Sequence, residues 1–148
     1  VAALLEYRDG IYWTWWDKVV ARHPGDPRAQ IRAIFETVGK RTAHPDYRGC
    51  PFINTAVEFP DPDHPGRVIA LANKMELRNR LRGLADSVGA HDPAMLADQL
   101  LLLIEGTYVS GQTIGTEGVG QRAAAAAADI LVAAAVNVAG EARGPKCS

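Results

Sequence analysis

The sequence has little cysteine, no excess of either charge and no unbroken apolar run of membrane-spanning length. Two cysteines, Cys50 and Cys147, occur in 148 residues. Two thiols in unrelated contexts do not make a disulfide scaffold, so a reducing, cytoplasmic compartment is the expectation. Sixteen Lys and Arg stand against 17 Asp and Glu, a formal net charge of -1. Phosphate binding needs clustered cations in excess, so this chain carries no electrostatic footprint for nucleic acid. The most apolar stretch, Ala123 to Ala139, is interrupted by Asp129 and Asn137 and dominated by alanine, which argues against a membrane span. The first residue is Val rather than Met, and no cap or leader pattern precedes the first amphipathic segment. An N-terminal part outside this sequence is therefore expected.

The motifs of catalysis are also missing. His23, His44, His64 and His91 all sit at or beside chain breakers, and none has a His or Glu one helical turn away. There is no HExxH, no Glu-x-x-His pair and no CxxC, so no metal is expected. Asp61, Asp63 and His64 read as a solvated turn, given the prolines between them. No GxSxG, Walker A or GxGxxG occurs, and Gly115 to Gly120 reads as an interhelical turn. No cofactor and no enzymatic activity are expected. Cys50, in Gly49-Cys50-Pro51, stands at the start of a short helix, where a dipole favours the thiolate. A structural role and a redox-sensing role both remain open for it.

What is present is a set of helices separated by clear breakers. Segment one, Val1 to Arg22, ends at His23-Pro24-Gly25. Asp26-Pro27 is an N-cap followed by proline at the first helical position, opening segment two, which runs to about Thr42. Segment three is short, Pro51 to Phe59, and Pro60 to Gly66 cannot be helix interior. Segment four runs from Arg67 to about Gly89, and Asp92-Pro93 repeats the capping signature for segment five, to about Ile114. Segment six fills Val119 to Ala139, and the small, polar stretch from Gly140 is expected to fray. Nothing alternates with period two, so the expectation is six helices and no sheet.

The faces of these helices carry the functional reading. In segment one, Leu4, Leu5, Ile11, Tyr12, Trp13, Trp15, Trp16, Val19 and Val20 fall in one arc of roughly 200°. An arc so wide is either buried among several helices or lines a cavity. Arg8 and Asp9 lie inside it, where charge is costly unless paired, and a contact with an N-terminal part would pair them. Segment five has its main stripe at Leu96, Leu100, Leu103, Ile104 and Ile114, with Leu102 and Val109 on the far side. Segment six is alanine-rich almost all round, so it needs partners on two sides. Pairing of residues 96-114 and 119-139 with a second copy across a two-fold axis would bury both; the alternative is a core hairpin of a monomer. Arg67, Lys74, Arg78, Arg80 and Arg82 of segment four read as a solvated helix face.

Small-molecule sites combine apolar walls with a few directed polar groups. Candidates for such a site are Tyr12, Trp13 and Trp16 of segment one and Phe35, beside Ile34 and Val38, of segment two. Segment three adds Phe52 and Asn54, near Glu58 and Phe59, and segment four adds Leu71 and Met75. Glu105, Tyr108 and Gln112 follow on one flank of segment five. Aromatics at helical spacing are as readily plain core, but Glu105 and Gln112 beside an apolar stripe need partners if buried. Competing readings are a structural homodimerisation domain without ligand and a small helical enzyme.

The stretch Tyr47-Arg48-Gly49-Cys50-Pro51-Phe52-Ile53-Asn54, followed by Glu58-Phe59-Pro60-Asp61-Pro62-Asp63-His64-Pro65, resembles the sixth-helix region of TetR/AcrR-type transcriptional regulators. The six segments are similar in order and length to the ligand-binding and dimerisation part of that family, so the resemblance covers nearly the whole chain. It implies an all-α regulatory domain over 1-148 whose last two helices form a four-helix bundle in a homodimer. It also implies a small apolar or aromatic effector meeting Glu105, Gln112 or Asn54. Operator DNA would be read only by an N-terminal helix-turn-helix preceding Val1, and Leu4 to Asp9 would carry ligand-induced motion to it. On this resemblance the parent is a repressor that releases its operator when the effector binds, and the chain alone would bind no DNA.

Overall fold

A computed structural model describes residues 1–141; Cys147 and the rest of 142–148 lie outside the described residues. Six α-helices follow one another: α1 Ala2–Ala21, α2 Pro27–Thr42, α3 Pro51–Glu58, α4 Pro65–Ser87, α5 Pro93–Thr113 and α6 Val119–Glu141. A single 3-10 turn, Gly115–Glu117, joins the last two, and there is no strand among the described residues.

Local chemistry explains where the helices start. Asp26 and Asp92 accept hydrogen bonds from the backbone N–H groups of Ala29 and Met95, both at 3.0 Å, and proline follows each cap. These side chains satisfy amides that the first helical turn leaves without partners. α4 begins two residues before the expected Arg67. Pro65 occupies its first position, where the missing N–H costs nothing, and the Nδ1 of His64 accepts from the Gly66 N–H at 3.1 Å. His64 is thus a cap, stacked on Phe59 with ring centroids 4.0 Å apart.

The core is one continuous cluster. Ile31, Ile34, Phe35 and Val38 of α2 meet Leu77 and Leu81 of α4 and Leu96, Leu100 and Ile104 of α5, all essentially without solvent exposure. α6 contributes Ala124, Ala128 and Val132, one residue per turn. Its most extensive neighbour is α2, followed by α5. Glycines let these three helices approach: a Cβ on Gly39 would stand 2.6 Å from the Gly120 carbonyl oxygen, and one on Gly120 would stand 2.6 Å from Thr107 Cγ2. Gln30 ties the end of α1 to α2, its Nε2 donating to the His23 carbonyl at 2.9 Å.

Three faces differ from the sequence reading. Of the wide α1 arc only Leu5, Trp16 and Val19 are buried, while Leu4 and Ile11 point outward, because α1 packs on α2, α4 and α3 from one side only. Ile114 follows the last turn of α5 and is half exposed rather than part of its stripe. Asp9 is paired inside the chain, accepting from Trp13 Nε1 at 3.0 Å and Asn73 Nδ2 at 2.8 Å; Arg8 is exposed.

α5 and α6 leave an apolar face bare. Met95, Leu102 and Val109 recur every seven residues along α5 and are exposed. On α6 the exposed stripe is Ala123, Ala126, Ile130, Ala134 and Asn137. Val119–Asn137 is long and apolar enough to cross a membrane by length and composition, with mean hydropathy 1.4 and 17% of the window buried. Its other side lies against α2, whose exposed Arg32, Glu36, Lys40 and Arg41 would be carried toward lipid, and Asp129 is ion-paired to Arg32. Charges at bilayer depth are costly, which counts against a spanning role.

Candidate functional site

The four short-range signals in segments one, three, four and five converge at one place. Tyr12 of α1 and Tyr108 of α5 share a hydrogen bond between their hydroxyls, 3.0 Å apart. Phe52 of α3 meets Tyr12 edge to face at 6.4 Å, and Tyr12 is also edge-on to Trp13 at 4.8 Å. Beside the pair, Lys74 of α4 donates to Glu105 at 3.0 Å, lies 3.6 Å from Cys50 Sγ and stands 5.6 Å from the Tyr108 ring centre. Tyr47 donates its hydroxyl to the Tyr108 carbonyl at 3.1 Å, anchoring the loop that leads into α3.

Burial pushes the Tyr12 phenol well above its usual range, and the nearby Cys50 and Glu105 add to this. Tyr108 is raised for the same first reason, with Tyr12 itself the next contributor, and Tyr47 is raised by burial. All three stay neutral at physiological pH and act as hydrogen-bonding groups, not as bases.

An open cleft of about 300 Å³ runs from this cluster between α3 and α4. Phe52, Ile53, Ala56, Val57, Ala70 and Leu71 supply its apolar wall; Lys74 and Glu105 line it together with Arg67, which donates to the Ala56 carbonyl at 2.9 Å. A second depression follows the exposed side of α1 and is lined by Tyr7, Ile11 and Trp15 among polar residues.

Tyr12, Phe52, Leu71, Glu105 and Tyr108 are brought together at or beside the cleft. Asn54 and Gln112 pair with each other at 3.4 Å, next to Gly49, whose φ of +91° turns the chain into α3. A Cβ on Gly49 would stand 2.6 Å from Gln112 Oε1, so glycine serves both the backbone and the close approach. Trp16 and Phe35 lie in the core, and Met75 is exposed. Trp13 holds α1 on α4: its N–H bonds Asp9 and its face carries the Arg80 guanidinium at 4.4 Å. Arg80 also bonds Asp17 at 2.8 Å and Glu76 at 2.7 Å.

Segment four is not simply a solvated face. Lys74 turns inward to Glu105 and Cys50, and Arg78 makes a two-pronged pair with Asp98 of α5. Ile53, Ala56, Val57, Arg67, Ala70 and Lys74 are the cleft residues that sequence reading missed. Arg67 and Lys74 share a helical stripe with Leu71, four and three residues away, and that spacing was the available signal. Asn73 is buried with its Oδ1 left without a partner. No three His, Cys, Asp or Glu side chains cluster as a metal would require among the described residues.

No protein-family model matches the chain. Over 77 residues, 52% of the chain, it is 30% identical to the HTH-type transcriptional regulator YjdC of Escherichia coli (strain K12), and equally to YjdC of Shigella flexneri. That match spans 40% of the length of those curated relatives. Among solved structures, a protein of Streptomyces avermitilis described as a TetR transcriptional regulator superimposes with a TM-score of 0.78 at 29% identity, over 90% of this chain and 72% of that one. A TetR-family transcriptional regulator of Streptomyces coelicolor gives a TM-score of 0.84 over 90% of this chain and 70% of that one; at 22% identity it speaks for the fold alone. All of these are described as transcriptional regulators. In helix order and overall superposition the chain is similar to TetR-family transcriptional regulators.

Proposed function

We propose that this chain is the effector-binding and self-pairing part of a TetR-type repressor. Its operator would be read by a helix-turn-helix domain preceding Val1. The effector is small and mostly apolar or aromatic, with one or two polar groups. The observation that carries this reading is the hydroxyl pair of Tyr12 and Tyr108, which joins α1 to α5 beside an apolar cleft. An occupant that parted the two hydroxyls would satisfy them itself and free α1 to tilt.

α1 is also tied to α4, through the Asp9–Asn73 bond and the stacking of Arg80 on Trp13. Motion of α1 would therefore pass to whatever chain precedes it. In a dimer, that motion changes the spacing of two DNA-reading heads away from that of successive major grooves. Roughly 3 kcal/mol of differential affinity between the two arrangements corresponds to more than a hundredfold shift. The bare face of α5 and α6 supports a two-fold pairing, since Met95, Leu102, Val109 and Ile130 otherwise stay in water.

Trp13, Trp15 and Trp16 all lie within two aromatic contacts of Tyr12, which makes intrinsic fluorescence the direct readout. A diverse set of apolar and aromatic compounds should include members that quench this emission and raise the melting temperature. If none does either, the chain is a structural pairing domain without a ligand. Sedimentation at micromolar concentration should show a dimer.

A further inference from the structure

We infer that the cleft between α3 and α4 selects an anionic effector, a small apolar or aryl monocarboxylate whose carboxylate rests on Arg67. This deepens the effector-binding reading and depends on it. Three ionic side chains line the cleft: Arg67, Lys74 and Glu105. Lys74 and Glu105 neutralise each other at 3.0 Å. Arg67 is half-buried, and its one hydrogen-bond partner among the described residues is the neutral Ala56 carbonyl; no carboxylate there lies within ion-pairing distance of it. The cleft therefore holds one uncompensated positive charge against an apolar wall.

The position of that charge is informative. Arg67 stands in the first turn of a 23-residue helix. A cation there opposes the helix dipole, so helix stability does not account for it, whereas an anion beside it gains from both the guanidinium and the helix's positive end. A guanidinium fork matches a carboxylate in two parallel hydrogen bonds, stronger where water is partly excluded. Arg67 and Lys74 are seven residues apart, about 10 Å along the axis. A molecule with its carboxylate on Arg67 would lay its body over Ala70 and Leu71 and reach the Lys74–Glu105 pair with its far end. That span fits an aryl group on a two- or three-carbon acid, and a volume of about 300 Å³ accommodates it.

Three probes of one shape test this on the full chain: 3-phenylpropionate, 3-phenylpropan-1-ol and 3-phenylpropylamine, titrated at pH 7 with calorimetry and tryptophan emission as readouts. The acid should bind at least about tenfold more tightly than the alcohol, and the amine most weakly. Arg67→Met should erase the difference between acid and alcohol, and Arg67→Lys should retain part of it; if Arg67→Met does not fold by circular dichroism, Arg67→Gln decides. Alcohol or amine binding as well as the acid overturns the inference while leaving effector binding intact, as does an acid preference that survives loss of the arginine. Binding of none of the three to the unmodified chain overturns the inference; the effector-binding reading falls with it only if the diverse set of apolar and aromatic compounds also gives no response.

Discussion

At the scale of single residues, two glycines in helices make opposite predictions. Gly10 of α1 has open space where a Cβ would stand, whereas a Cβ on Gly39 would meet backbone atoms of Gly120 and Gln121 at 2.6 to 2.9 Å. Gly10→Ala should stabilise by about 0.5–1 kcal/mol through reduced backbone entropy in the unfolded chain. Gly39→Ala should destabilise by about 1–3 kcal/mol, because α2 and α6 must separate. Urea midpoints of the two variants check this, and equal effects would mean that the glycine contact does not set the helix spacing. The buried tyrosines make a second prediction. Their folded-state pKa values lie above the unfolded value of 10.0, so the unfolded chain loses protons first as pH rises. Their contribution is complete below about pH 10 and is lost above it. Stability should therefore fall on the alkaline side of pH 10, and Tyr12→Phe should flatten that fall.

At the scale of elements, the caps and clasps decide where helices begin and which neighbours they hold. Asp92→Ala removes the side-chain acceptor for the Met95 N–H at the start of α5 and should cost about 0.5–2 kcal/mol in thermal or urea unfolding. The Arg78–Asp98 clasp joins α4 to α5 at the surface. Arg78 holds the Asp98 carboxyl below its ordinary value of 3.8, so this clasp persists at neutral pH and is released only as pH falls below that value. α3 is eight residues long, too short to be stable alone, and is kept by Phe52 in the core and by the Tyr47 anchor. That shortness makes it the most movable wall of the cleft.

At the scale of the whole molecule, the notable feature is a buried apolar core on one side and a bare apolar face on the other. Leu102 is 72% exposed and Ile130 69%, far more than a core hairpin would leave in water. Leu102→Asp and Ile130→Asp should each shift sedimentation from dimer toward monomer while leaving the far-UV circular dichroism of the monomeric fold unchanged. An unaltered dimer in both variants would place the interface elsewhere. On the proposed pairing α6 would be covered on both sides by protein, and a helix so covered needs no polar stripe, which would account for its membrane-like composition.

Sequence alone determined the helical class and nearly every boundary, because Asp-Pro caps, proline runs and a 3.6-residue apolar period act over one or two turns. It also placed Leu102 and Val109 on the far side of α5, since a helix face follows from spacing alone. It did not reveal that Lys74 turns inward, that Asp9 finds Asn73 within the same chain, or that Asn54 and Gln112 take each other as partners. Each of those depends on a residue 30 to 65 positions away, and no local pattern encodes a partner so distant. The cleft itself belongs to the same class: Arg67 looks like one more surface cation until α3 is laid against α4, and only then does it stand as an unpaired charge beside an apolar wall.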